Sequence, residues 1–212
     1  MSAKINIPIE YHKQICELYL SGKGSPEIGK LFGVSRFIIC KLLKSYNIEI
    51  RGFIDKLLKD KTFFKKIDSV NKAYWFGLLC ADGCNTGVSF AIYLQELDKY
   101  IIQRFIKELK FSGDIKKQKR QLPTHQDKFG FAVSGREISK DLTKLGCPPR
   151  KSLILQFPNE NQVPIEYINH FIRGYFDGNG SVDSKSSKEE MQVEISSSHK
   201  FAYSLSDLLR LK

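Results

Sequence analysis

The sequence has no apolar run that approaches the ~20 residues needed to span a bilayer. Its amino terminus, MSAKINIPIEYHKQ, has no apolar signal core. Its cysteines are odd in number and form no CxxC pair, which argues against disulfides and a zinc site: Cys16, Cys40, Cys80, Cys84 and Cys147. We read Cys80 and Cys84 as small apolar residues. These features predict a cytoplasmic protein that is neither secreted nor membrane-spanning.

Acidic residues are few relative to basic ones. The 212 residues include 23 Asp and Glu against 34 Lys and Arg, a net charge of +11, and the pI is about 9.4. Such an excess predicts a polyanionic partner, either nucleic acid or an anionic membrane surface. The length suffices for one sizeable core plus a small module.

Two nine-residue stretches share one pattern: Trp75–Gly83 reads WFGLLCADG, and Ile172–Gly180 reads IRGYFDGNG. Each has small residues four positions apart, which lie on one face of a helix: Gly77 with Ala81, and Gly174 with Gly178. A face without bulky side chains lets two helix backbones approach closely. The pattern therefore predicts two helices packed side by side with their carboxyl ends together.

The first of these helices ends in an acidic residue. Asp82 precedes Gly83, which suits a left-handed cap. A carboxylate at a helix carboxyl end is unfavourable by roughly 0.3–1 kcal/mol, and a bound divalent cation would reverse the sign. The alternative is two ordinary core helices with glycine caps, but the repetition of the pattern favours a built site.

The two stretches resemble the motif of the LAGLIDADG homing endonucleases. Trp75–Gly83 matches it at the third, fourth, seventh, eighth and ninth positions, and Ile172–Gly180 at the third, sixth and ninth. The resemblance covers about residues 63–212. It implies site-specific cleavage of double-stranded DNA, with Mg²⁺ held at the scissile phosphates by the eighth-position residues, Asp82 and Asn179. It also implies that Lys151 is the basic residue near the active-site water; a phosphate-contacting or structural lysine is the alternative.

The fold class expected from this resemblance is α+β. We expect a LAGLIDADG pseudo-symmetric αββαββα-type repeat with an incomplete second copy, preceded by an all-α helix-turn-helix module. The boundaries are 1–50 for the helix-turn-helix module, 51–69 for a basic linker, 70–168 for the first half and 169–212 for a truncated second half. A second chain that completes the truncated half is a further expectation.

The helix-turn-helix assignment rests on the stretch SPEIGKLFGVSRFIICKLLKSYNI. Ser25 is an expected N-cap, Gly29 the small contact residue, Gly33 the turn, and Ser35 the cap of a helix to Tyr46. The spacing resembles resolvase-like and phage regulators, which implies a recognition helix in the major groove. Its candidate DNA contacts are Ser35, Arg36, Phe37 and Lys41, with Lys44 at phosphate. A three-helix bundle used only as a packing cap is the alternative.

Strand patterns follow the first motif. Val88–Gln95 is one predicted strand, and Asp114–Gln121 with Lys128–Ser134 a predicted hairpin around Pro123-Thr124. Basic residues of this hairpin suit phosphate contact, with a solvated surface as the alternative: Lys116, Lys117, Lys119 and Arg120. Further expected elements are helices at 98–110, 136–145, 166–176 and 200–211, and strands at 153–157 and 191–196.

The second motif departs from the family at its eighth position, where Asn179 replaces the acid. An amide keeps a carbonyl acceptor and loses the charge, so it is a weaker ligand for Mg²⁺. Asp177 cannot replace it, because two residues along a helix is a rotation of about 200°. We therefore expect impaired double-strand cleavage, with nicking or binding alone as outcomes. The leading hypothesis is a homing-type endonuclease; a non-cleaving DNA-binding regulator and an RNA-splicing maturase are the alternatives.

Overall fold

The computed structural model describes residues 7–48, 50, 57–119, 126–184 and 191–210. The chain divides into two compact units, 1–53 and 54–212. Several sequence predictions lie outside the described residues: Arg120, the Pro123-Thr124 turn, the start of the basic linker and the last residue of the final helix.

The first unit contains three helices: α1 (Glu10–Leu20), α2 (Ser25–Leu31) and α3 (Arg36–Ser45). They share an apolar core that includes Ile15, Ile28 and Ile39. α2 and α3 pack closely because Gly29 has no side chain: a Cβ there would lie 2.6 Å from the Val34 carbonyl oxygen. Gly33 turns the chain between them with φ +66°. Ser25 is the first residue of α2 and not its N-cap, a position that Gly24 takes.

The second unit mixes helices with antiparallel sheets. Its elements in chain order are α4 (Val70–Asp82), β1 (Cys84–Asn85), β2 (Ser89–Gln95), α5 (Lys99–Glu108), β3 (Lys116–Gln118), β4 (Lys128–Ser134), α6 (Arg136–Lys144), α7 (Ile168–Asn179), β5 (Gly180–Ser184), β6 (Met191–Ile195) and α8 (His199–Arg210). The order from α4 to α6 is thus helix, two strands, helix, two strands, helix. The side chain of Ser69 caps α4 by accepting from the Lys72 amide.

The larger sheet has the strand order β1-β2-β4-β3, all antiparallel. Alternation along β2 buries Phe90, Ile92 and Leu94 and turns the intervening residues to the opposite face. The register places Phe131 beside Ile92 and Val133 beside Phe90, so one sheet face forms the core with α4 and the other helices. The second sheet pairs only β5 with β6.

Two local expectations were wrong. Gly83 has φ −72° and ψ 157°, because the chain passes directly from α4 into the extended β1 and not through a left-handed cap. Residues 153–157 form no strand; a 3-10 turn at Lys151–Leu153 is followed by irregular chain. Of the two cysteines at this helix end, Cys80 is buried inside α4 and Cys84 is exposed on the outer sheet face.

Candidate functional site

The two motif helices, α4 and α7, touch backbone to backbone. A Cβ at Gly77 would lie 2.1 Å from the Phe171 carbonyl oxygen, and a Cβ at Gly174 would lie 2.0 Å from the Tyr74 carbonyl oxygen. These two contacts are reciprocal: each glycine is the third residue of its motif, and each carbonyl belongs to the residue before the other motif. Both helices therefore need glycine at these positions to pack at this distance.

The same packing brings the carboxyl ends of the two helices together. A Cβ at Gly178 would lie 2.5 Å from the Ala81 Cβ and 2.9 Å from Asp82 Oδ2. The carboxylate of Asp82 thus lies against the residue that precedes Asn179. The structure therefore juxtaposes the ends that carry the two eighth-position residues.

The carboxylate at the end of α4 has a raised pKa. Partial desolvation raises the pKa of Asp82, Lys128 and Lys151 oppose that rise, and Asp98 adds to it. The pKa direction shows that burial outweighs two nearby ammonium groups. The side chain is nonetheless exposed to solvent on one side. Asp82 is therefore a carboxylate that water or a ligand reaches and that a further positive charge would stabilise.

Lys151 is held at the same helix end. Its Nζ donates a hydrogen bond of 2.8 Å to the Ala81 carbonyl oxygen, and the residue is only 8% exposed. An ammonium at a helix carboxyl end is favoured by the helix dipole. Asn85, buried beside α6, donates to the Cys147 carbonyl oxygen at 2.8 Å and so ties the loop before Lys151 to β1.

The end of α7 has different chemistry. Asn179 Nδ2 donates to Tyr175 Oη at 3.2 Å, and Tyr175 Oη donates to the Ser196 carbonyl oxygen at 3.2 Å. Asp177 faces another way, because its Oδ2 accepts from Tyr74 Oη at 2.7 Å. Burial raises the pKa of the Tyr74 phenol, and the contact with the Asp177 carboxylate adds to the rise. Asp177 is therefore engaged between the helices and not at their ends.

The outer face of the larger sheet carries polar residues in register. Gln95, Lys128 and Gln118 lie side by side across β2, β4 and β3, and Lys116 pairs with Gly130 one row away. Lys117 lies on the other face: its Nζ is 2.8 Å from Asp127 Oδ2 and 5.5 Å from the centre of the Phe129 ring. Of the predicted phosphate contacts in this hairpin, Lys116 lies on the outer face; Lys119 is exposed beyond β3.

In the first unit, α3 presents a mixed surface. Ser35, Arg36, Phe37 and Lys44 are exposed, whereas Lys41 is half-buried. Phe37 is 73% exposed, and the Arg36 guanidinium lies 5.3 Å from its ring centre. The guanidinium and the ring thus form a cation–π contact on the exposed surface of α3.

Four residues of the site in the second unit were not predicted from the sequence: Tyr74, Asn85, Lys128 and Tyr175. Lys128 is close to Asp82 because β4 crosses the sheet to its side, a proximity that no local pattern encodes. Tyr175 lies four residues before Asn179 on the same helix face, so its spacing was a usable signal.

The donor set for a cation is small. Within the ranges that the structure describes, no three His, Cys, Asp or Glu side chains group together. The two helix ends carry one carboxylate, that of Asp82, and one amide oxygen, that of Asn179. Such a set fits Mg²⁺, which keeps several waters and is bound through one or two carboxylates plus substrate phosphates.

The second unit is therefore an antiparallel α+β unit in which two glycine-packed helices meet at their carboxyl ends, one of which carries a carboxylate. A scan against protein families matches residues 166–211 to the LAGLIDADG-like domain. This match confirms the resemblance to the LAGLIDADG homing endonuclease family. A search of curated proteins found no match. Among the described residues, no helix is long and apolar enough to cross a membrane.

Proposed function

We propose that this protein is a site-specific DNA endonuclease of the homing type, which hydrolyses phosphodiester bonds with Mg²⁺ and cuts one strand in preference to the other. The observation that carries the proposal is the end of α4: the Asp82 carboxylate lies against Gly178 of the second motif helix, with Lys151 bonded to the neighbouring carbonyl. DNA as substrate fits the family and the net charge of +11.

Asp82 would hold the metal ion, with the amide oxygen of Asn179 as a weaker, neutral second ligand. When bound, Mg²⁺ would lower the pKa of a water and neutralise charge on the scissile phosphate. The raised pKa of Asp82 supports this role, because a desolvated carboxylate gains most from a cation. Lys151 would hold an ammonium charge beside the reacting phosphate, fixed in place by the Ala81 carbonyl.

We propose two DNA-binding surfaces. The outer face of the larger sheet would contact the duplex, with Lys116 and Lys128 at phosphates and Gln95 and Gln118 at base edges. The module 1–50 would act as a helix-turn-helix, with Ser35, Arg36, Phe37, Lys41 and Lys44 on its recognition helix. The linker 51–69 would join this module to two duplicated halves, 70–168 and 169–212. The reciprocal glycine contacts between the motif helices are those expected of a local two-fold axis that relates the halves.

The asymmetry of the two helix ends argues for nicking. Of the two eighth-position residues, only Asp82 supplies a full negative charge to the metal, so the strand whose phosphate lies at that end would be cut faster. Asn179 also favours a second candidate, a DNA-binding regulator that does not cleave, because an amide binds Mg²⁺ weakly.

The test is a plasmid assay with Mg²⁺, on supercoiled DNA that carries the sequence flanking the gene. The natural protein should convert supercoiled plasmid to nicked circles, whereas Asp82→Ala should not. EDTA should abolish nicking and leave sequence-specific binding in place. A structured intron RNA serves as a competitor in the binding arm.

Each outcome discriminates between the candidates. Binding of duplex DNA without metal-dependent scission would contradict the nuclease and support the regulator. Preference for the RNA over the duplex would contradict both and favour a maturase. Scission retained by Asp82→Ala would contradict the assignment of the metal-binding carboxylate.

A further inference from the structure

A chain of hydrogen bonds ends on the residue that departs from the family motif. Tyr175 Oη contacts both Asn179 Nδ2 and the Ser196 carbonyl oxygen, each at 3.2 Å. The Asn179 backbone joins the same network, since its carbonyl oxygen accepts from the Ser196 amide at 2.9 Å. The end of β6 is thus fastened to the end of α7 through both residues.

Tyr175 has no freedom to leave this position. It is 2% exposed and stacks on Phe201 with ring centres 4.2 Å apart. Like any ordinary tyrosine, its phenol carries a proton at neutral pH. Its rigid ring therefore presents one proton and one set of lone pairs at a fixed point.

Counting protons shows which group the network accepts at position 179. The phenol has a single proton, and the Ser196 carbonyl oxygen can only accept, so the proton belongs to that bond. The group at position 179 must then donate to Tyr175 Oη. An amide does so through Nδ2, whereas an ionised carboxylate has no proton to give. The single phenol proton could then serve either the carboxylate or the Ser196 carbonyl, so one of the two hydrogen bonds would be lost.

From this geometry we infer that Asn179 belongs to the site as a neutral amide and is not an inactivating replacement of an aspartate. Tyr175 is then its positioning residue. The inference rests on the proposed nuclease function. Nδ2 is committed to Tyr175, which leaves Oδ1 as the oxygen for a cation or a phosphate-bound water. No donor among the described residues occupies it.

The test is a double-mutant cycle in the full chain without metal, using Asn179→Asp, Tyr175→Phe and both together. Asn179→Asp should lower the Tm by about 5 °C, because a buried hydrogen bond is lost and not replaced. In the Tyr175→Phe background, Asn179→Asp should lower the Tm by no more than half as much as it does alone. Repulsion between the new carboxylate and Asp82 is present in both backgrounds, so the cycle isolates the mismatch with the phenol.

The second arm measures nicking. Tyr175→Phe should lower kcat about tenfold with the Kd for the DNA unchanged, since the amide loses its orientation and no DNA contact is removed. Phe201→Leu is the matched control: it disturbs the same packing and leaves both hydrogen bonds in place. It should lower the Tm without changing kcat.

A Tm loss from Asn179→Asp that is equal in both backgrounds would overturn the inference. An unchanged kcat in Tyr175→Phe would do the same. If no variant nicks DNA while the thermal cycle shows coupling, the nuclease function is contradicted and the match between the amide and the phenol is supported.

Discussion

The two motif helices have the same backbone packing and different chemistry at their ends. At the end of α4, a charged carboxylate stands beside the ammonium of Lys151 and a four-stranded sheet. At the end of α7, an amide is bonded to a phenol, and the sheet beyond it has two strands with Val182 and Val193 more than half exposed. The packing that the two helices share depends on glycine and backbone carbonyl groups, whereas the chemistry in which their ends differ depends on side chains.

This difference separates what holds the halves together from what the site does. The reciprocal contacts of Gly77 and Gly174 involve only backbone atoms and constrain both helices equally. The end residues, Asp82 and Asn179, take no part in these two glycine contacts, so they can change without disturbing them. The predictions below test whether packing and chemistry are separable in this way.

The largest effect is expected from Gly174→Ala. Its Cβ would lie 2.0 Å from the Tyr74 carbonyl oxygen, a backbone atom that cannot move without displacing α4. We expect a loss of about 3 kcal/mol or more in the free energy of unfolding, measured by urea denaturation. Gly178→Ala is the comparison, because its Cβ would meet only the side chains of Ala81 and Asp82. If both variants lose equal stability, the packing of the helices and the chemistry at their ends do not vary independently.

Asp82→Asn should reduce nicking by at least ~100-fold, because it removes the carboxylate of the proposed ligand pair, whose other member, Asn179, is neutral. Asp177→Asn is the matched control: the same change lies two residues from Asn179, where the carboxylate accepts from Tyr74. It should cost about 1 kcal/mol of stability and leave the nicking rate within about twofold. Equal losses of nicking in initial-rate measurements would show that Asp177 serves the site.

Lys151→Met should slow nicking by about tenfold, since it removes an ammonium near the scissile phosphate and keeps most of the side-chain volume. DNA affinity should change little, because the lysine is buried at the helix end. Lys144→Met, an exposed position on α6, is the control and should match the natural protein. A loss of affinity without a loss of kcat would assign Lys151 to phosphate binding alone.

Local patterns were sufficient for most of the scaffold. Hydrophobic periodicity and capping residues located α4, α7 and the strands from β2 to β4, because glycine spacing and apolar-polar alternation can be recognised within a short stretch of sequence. They could not locate Lys128 near Asp82, since these residues are 46 positions apart in the sequence and the pairing of β1, β2 and β4 brings them together. They also treated Lys116 and Lys117 as equals, although adjacent residues of a strand face opposite sides. The strand expected at 153–157 failed because apolar runs alone do not distinguish a strand from irregular buried chain.

A smaller effect concerns stability and pH. The pKa of Asp82 is raised in the folded protein, so its ionised form destabilises the fold and stability falls as pH rises through that pKa. The metal-free Asp82→Asn variant should therefore have a Tm a few degrees above that of the natural protein at pH 7. The difference should vanish below about pH 4, where both side chains are neutral. Mg²⁺ should raise the Tm of the natural protein only; a rise in both would place the ion elsewhere.

The smallest effect contrasts two neighbouring lysines of β3. Lys116 is exposed on the outer sheet face, whereas Lys117 is paired with Asp127 on the other side. If the outer face binds DNA, Lys116→Ala should weaken binding several-fold and reduce the slope of log K against log salt by about one phosphate contact. Lys117→Ala should leave the slope unchanged, because its charge is already neutralised and directed away from the duplex. The reverse result would place the DNA on the opposite face of the sheet, where α5 packs, and would exclude the proposed binding surface.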